Sequence, residues 1–267
     1  MSGIASFGGW AVALHGLAFA AAIGFATWVA SLVRRDVSLV DRVWSVCIAG
    51  AGFAYAAALP ATGPRAGWML GLVALWSLRL ALYITVRNWG HGEDRRYQAI
   101  RARNQPGFAF KSLYLVFALQ AVLAWIVSAP LLVGAASVEP WTGLDTAGAA
   151  LAAFGIAFEA IADEQMRRFK ADAANKGRVM DGGLWAWSRH PNYFGEFCVW
   201  WGMGLMALAA GGGWSLVSPL LMSVLLLKVS GVSLLEKDMS ERRPAYRDYI
   251  ARTSAFFPRP PKQGSAA

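Results

Sequence analysis

The order of apolar and polar residues along the 267-residue chain sets out seven long apolar stretches, near 10–33, 43–59, 68–86, 113–132, 146–166, 194–210 and 216–235. Each comes close to the ~20 apolar residues that carry an α-helix across a bilayer core of about 30 Å. The pattern predicts an all-α, polytopic membrane protein: one domain of seven transmembrane helices over 1–262, with a disordered tail over 263–267. The first stretch is too long for a cleaved signal peptide, and no basic residue precedes it.

Composition agrees with this reading. Hydrophobic residues make up 57 % of the chain and tryptophan occurs thirteen times, a richer apolar share than soluble domains carry. Charge then supplies direction. One set of inter-span segments collects Arg34, Arg35, Arg42, Arg87, Arg95, Arg96, Arg101, Arg103, Lys111, Arg167, Arg168, Lys170, Lys176, Arg178 and Arg189; the other holds Arg65 alone. By the positive-inside rule the basic side is cytoplasmic, so the N-terminus lies outside and the C-terminus inside. The net charge of +9 is thereby accounted for by topology, and no nucleic-acid partner is needed to explain it. Cys47 and Cys198 fall within apolar stretches as small core residues, and His15, His91 and His190 have no ligand spacing, so no metal site is expected.

Three polar stretches interrupt the apolar pattern. The segment 88–107, NWGHGEDRRYQAIRARNQPG, has room for a short basic helix at the membrane surface; it reads either as a solvated loop or as a ligand contact. The fifth apolar stretch runs on into FEAIADEQMRRFK, where Glu159 and Asp163 stand four residues apart on one helix face. Acidic groups at such a depth face an interior or a cavity; the alternative is that Asp163 pairs with Arg167 one turn on. The third is SRHPNYFGE, Ser188 to Glu196. Pro191 suits the first position of a helix, whose unpaired N–H groups then meet Arg189 and Arg178, a combination suited to phosphate. Asn192 and Glu196 follow along the same wall. Phosphate ligands at the mouth with amide and carboxylate groups deeper suit a dinucleotide inserted end-on; a lipid headgroup suits the arginines alone. The GMGLMA run from Gly202 to Ala207 matches a dinucleotide pattern but lies mid-span without a preceding strand, so its glycines are read as helix-packing residues. Residues 234–250 alternate charge and aromatic character as an interfacial helix does, with Tyr246 and Tyr249 either covering a cytoplasmic opening or anchoring the tail.

The run from Phe158 to Glu196 and the ending RRPAYRDYIARTSAFFPRPP, with SLVDRVW at 38–44 and LRLALYITVRNWGHGEDRRY at 78–97, resemble bacterial members of the steroid 5-alpha-reductase superfamily. The resemblance implies an enzyme of the bacterial inner membrane that binds NADPH within its C-terminal half, about 143–262. Such an enzyme reduces a carbon–carbon double bond conjugated to a carbonyl in a lipophilic substrate entering from the bilayer. It assigns Asn192 and Glu196 to the nicotinamide end. Glu159, Asp163, Lys170 and Arg178 fall to the adenosine and phosphates, and Arg79 to a place near the cofactor. Arg189, Tyr193 and Tyr246 complete the cofactor set. For the substrate carbonyl it points to Asp41 and, because Trp76 stands where the family carries a tyrosine, to Tyr83. That departure leaves a steroid or another lipophilic enone open. The Arg-His-Pro-x-Tyr-x-Gly pattern at 189–195 is also similar to isoprenylcysteine-type methyltransferases, which use S-adenosylmethionine; a non-catalytic lipid-binding protein is the third alternative.

Overall fold

A computed structural model describes residues 3–229 and 245–262. Helix and turn account for the described residues, with no strand among them. The helices are α1 (Gly9–Arg34), α2 (Leu39–Ala58), α3 (Ala66–Arg87), α4 (Arg95–Arg103), α5 (Phe108–Val127), α6 (Ala129–Ala136), α7 (Gly143–Ala171), α8 (Pro191–Ala209), α9 (Gly213–Val229) and α10 (Ala245–Arg252). Five of them, α1, α2, α3, α5 and α7, are long and apolar enough to cross a membrane, which marks an integral membrane protein. The sixth expected span corresponds to α8. The seventh corresponds to α9, and its expected end at 230–235 lies outside the described residues, as do 234–244 of the expected tail helix and the tail 263–267.

The fourth span departs from its expected bounds. The apolar run 113–132 is broken at Ser128: α5 starts earlier, at Phe108, and ends at Val127, and a separate helix begins with Pro130 in its first turn. Proline has no N–H for the preceding turn and clashes with it, so a helix restarts there rather than passing through. Within α5 the turns at Leu113–Ala118 are π-helical.

The chain divides into two compact units, Met1–Ala149 with Met203–Ser218, and Ala150–Gly202 with Pro219–Ala267. In the first, α1 lies along α2, α2 along α3, and α5 against both α1 and α2. Close approach depends on small residues: a Cβ at Gly16 would stand 2.2 Å from the Tyr55 ring, so only glycine admits that ring against α1. Arg65, the lone basic residue of the expected outer side, is fully buried. Its guanidinium meets Asp145 through two nitrogens at 2.7 and 2.9 Å and donates to the carbonyls of Glu139 and Pro140. Asp145 also accepts from the Thr142 N–H and hydroxyl, capping the start of α7. Arg65 is thus a fastener between the start of α3 and the start of α7, which explains its exception to the charge pattern.

In the second unit α7 and α8 cross at Gly155 and Gly195. A Cβ on Gly195 would lie 2.7 Å from the backbone of Glu159 and Gly155, so the helices touch main chain to main chain. Phe194 and Phe197 each pack edge to face against Phe256 and Phe257, holding the C-terminal segment to α8.

Candidate functional site

The glycine crossing determines which polar groups meet in the second unit. Glu159 lies at the contact itself and is 2 % exposed; Asp163, one turn further along α7, is 3 % exposed. Asp163 accepts a hydrogen bond from the Asn192 side chain at 3.3 Å, and Glu196 follows one turn into α8, also buried. The structure therefore brings Glu159, Asp163 and Asn192 of the expected set to the same two helix faces. The alternative partner for Asp163 is otherwise engaged: Arg167 pairs with Glu164 at 2.6 Å, as does Arg168. Burying carboxyl groups is unfavourable unless they are partnered or bind something.

The loop leading into α8 gives the motif a second role. The Ser188 hydroxyl donates to the Phe256 carbonyl at 2.7 Å, the Arg189 N–H to Ser254, and the Arg189 guanidinium to the Thr253 carbonyl at 2.6 Å. The Tyr249 hydroxyl donates to the Trp185 carbonyl at 2.6 Å, and Asp181 pairs with Arg252. The expectation for Arg189 was a phosphate ligand at the mouth; the structure shows it buried, with one nitrogen on the carbonyls of the C-terminal segment. Its immediate work is to fasten that segment over the start of α8. Tyr193 stacks on His190 at 5.7 Å and Tyr246 packs edge-on against Tyr249 at 5.4 Å. Lys170, in the last turn of α7, and Arg178, in the following loop, are both exposed, and Arg178 donates to the Asn175 side chain.

This donor set fits a dinucleotide phosphate in its chemistry. Lys170 and Arg178 are accessible cations for phosphate groups, while Asn192 and the buried carboxyls can accept from and donate to a carboxamide. No group of three or more histidine, cysteine, aspartate or glutamate side chains among the described residues is placed to hold a metal ion.

The first unit holds the residues expected to face substrate. Trp76 is fully buried, in the position where a tyrosine was expected. Tyr83 is half-buried with the Arg87 guanidinium 5.6 Å from its ring centre, and Arg79, one turn before it on α3, is half-buried as well. Asp41 is held by residues of the polar segment 88–107. The Tyr97 hydroxyl donates to one of its oxygens at 2.6 Å, Arg96 donates to the other at 2.8 Å, and Gln120 on α5 donates to the Tyr97 hydroxyl at 3.2 Å. Both Arg96 and Tyr97 belong to α4, the expected basic surface helix, which is capped by the Asp94 carboxylate accepting from the Arg96 N–H at 2.9 Å. A single tyrosine inside GEDRRY was the available signal, since an aromatic residue in so polar a segment needs something to pack on; here it joins a small core with Val37, Val40, Phe108, Val116 and Phe117. Burial, then the Asp41 charge, pushes the Tyr97 hydroxyl well above its ordinary range, so it remains a donor. Although burial pulls the other way, Asp41 and Asp94 hold Arg96 firmly charged. Glu93 is raised by burial but brought below its usual value by Arg101 and the Val37 N–H, which tie α4 to the turn after α1.

With these arrangements in view, comparison with known proteins is informative. Residues 27–253 match a family described as a protein of unknown function, DUF1295. An uncharacterised protein of Schizosaccharomyces pombe is 26 % identical over 275 residues, covering 91 % of this chain and 79 % of its own. No solved structure matches.

Proposed function

Because the chain belongs to the DUF1295 family, which is steroid 5-alpha-reductase-like, we propose that it is a membrane-embedded NADPH-dependent reductase of a carbon–carbon double bond conjugated to a carbonyl in a lipophilic substrate. One observation carries the reading: the buried Glu159 and Asp163 and the half-buried Asn192 gathered where α7 and α8 touch at Gly155 and Gly195. Asn192 and Glu196 take the nicotinamide end; Glu159, Asp163, Lys170 and Arg178 take the adenosine and phosphates, with Tyr193 and Tyr246 supporting. Arg189 holds the C-terminal segment that backs this set. Bound there, NADPH would supply the hydride. Toward substrate, Tyr97 is the hydroxyl we assign to the carbonyl oxygen in place of Tyr83, because Asp41 and Gln120 hold its oxygen in a fixed position; its one hydrogen, which lies on Asp41 without substrate, turns to the substrate oxygen once a protonated Asp41 donates to the tyrosine instead. A donor fixed in advance stabilises the negative charge that develops on that oxygen when hydride arrives at the β carbon. Asp41 and Arg96 act as positioning residues for it.

The same reading places seven spans in the plasma membrane of a bacterium, with the basic loops inside and membrane lipids as surroundings. Thermal unfolding of the solubilised protein with candidate cofactors tests the assignment. NADPH raising the transition temperature supports it; protection by S-adenosylmethionine instead makes the protein a methyltransferase, and protection by neither leaves a lipid-binding role.

A further inference from the structure

We infer that the first unit carries a second binding site, for one acyl chain of a membrane phospholipid, at the end of its helices far from Asp41. The observation is a half-open cavity of about 170 Å³ bordered by Trp10 and Ala13 of α1, Tyr55 of α2, Trp125 of α5, and Ala129 and Leu132 of α6. Tyr55 stands fourteen residues beyond Asp41 on the same helix (55 − 41), which at 1.5 Å per residue is about 21 Å. The cavity therefore shares nothing with the Asp41–Tyr97 assembly.

Its lining decides the class of guest. Two of the aromatic walls have their polar atoms engaged: the Trp125 ring N–H donates to the Ala13 carbonyl at 2.8 Å, and the Tyr55 hydroxyl is 2.6 Å from the Ser128 hydroxyl; the ring N–H of Trp214, which also borders the cavity, is a single buried donor without a partner among the described residues. One donor is too few to hold a polar ligand, and water needs two to four partners to stay in such a space. The volume exceeds the roughly 150 Å³ of an apolar cavity that stays dry and admits benzene, so several methylene groups fit. Position decides the source. Trp10 is 60 % exposed in the first turn of α1, and Tyr55 lies in the last turn of α2, so the mouth sits at the aromatic end of the spans, within reach of the upper part of a bilayer chain. The bilayer is as apolar as the cavity, so a chain segment resides there in preference to the open bilayer through close van der Waals fit and not through transfer from water.

Photolabelling tests this. The full chain is reconstituted in nanodiscs of phosphatidylcholine carrying a diazirine in its acyl chain, irradiated, and mapped by peptide mass spectrometry. The expected adducts fall on Tyr55 and Leu132, which are 1 % and 2 % exposed and out of reach of lipid that only skirts the surface. Ala129→Phe, which fills the space from α6, lowers those adducts about tenfold while labelling of the exposed Leu75, Leu78 and Leu82 on α3 stays constant. Adducts confined to exposed residues in the wild-type protein would overturn the inference without recourse to the variant. So would adducts on Tyr55 and Leu132 that Ala129→Phe leaves unchanged.

Discussion

At the scale of single residues, the account turns on which hydroxyl Asp41 holds. The family resemblance points to Tyr83, two turns from Trp76 along α3. The structure sets the Tyr97 hydroxyl on Asp41 from 56 residues away in the chain. No local pattern reveals such a pairing, because it depends on where α4 folds back. Removing the hydroxyl with Tyr97→Phe removes the donor to the substrate oxygen and leaves the ring in its apolar cluster. Losing a single oxyanion donor commonly lowers turnover by about 10²–10³-fold. Tyr97→Phe should therefore fall by that order in single-turnover reduction of a lipophilic enone, with NADPH binding unchanged, whereas Tyr83→Phe should change the rate by less than about threefold. The reverse ranking would restore Tyr83 to the role.

Among the elements, the clearest contrast lies between hydropathy and partnership. The first three spans were legible to within a few residues, since an apolar run of the right length admits little else, and the polar continuation of α7 was legible from its acids. The fourth span was misplaced because hydropathy does not register the missing N–H of Pro130. Arg65 was visible as an exception to the charge pattern, but its partner Asp145 lies 80 residues away, so its role as a fastener was not. Breaking a buried ion pair by removing one partner costs about 3–5 kcal/mol. Arg65→Met should lower stability by that order in denaturant titration, and the double variant Arg65→Met with Asp145→Leu should recover much of the loss because no buried charge is left unpaired. A single variant as stable as the wild type would remove the clasp from the account. The docking of α4 carries its own test. Glu93 has a folded-state value below its ordinary 4.5, so its contribution is present above that value and is lost as pH falls through the lower folded one. A spin label at exposed Arg103 should gain mobility in acid, below about pH 4; in Glu93→Gln it should respond little to pH. A label equally immobile across that range would show that Glu93 does not hold the loop.

For the molecule as a whole, the basic residues remain the strongest long-range signal. With Arg65 a buried fastener, the expected outer side has no exposed basic residue among the described residues, in keeping with the charge rule behind the expected orientation. A periplasmic reporter should be active when fused near Val138 and inactive near Asn104 or after Lys262; activity at Asn104 would overturn the seven-span arrangement. The polar wall of α8 was legible in part, because Asn192 and Glu196 share a helix face by spacing alone. The contact that gathers them with Glu159 and Asp163 comes from two glycines forty residues apart, and only the fold shows it. The most direct measurement of the central claim is a calorimetric titration of NADPH into the full chain in nanodiscs, for the wild type and for Asn192→Ala. The variant deletes the amide that meets Asp163 and removes about 1–2 kcal/mol of contact. Saturable binding of one NADPH per chain, weakened about tenfold or more in Asn192→Ala, is the expected result; no saturable binding, or equal affinity in both proteins, would contradict it.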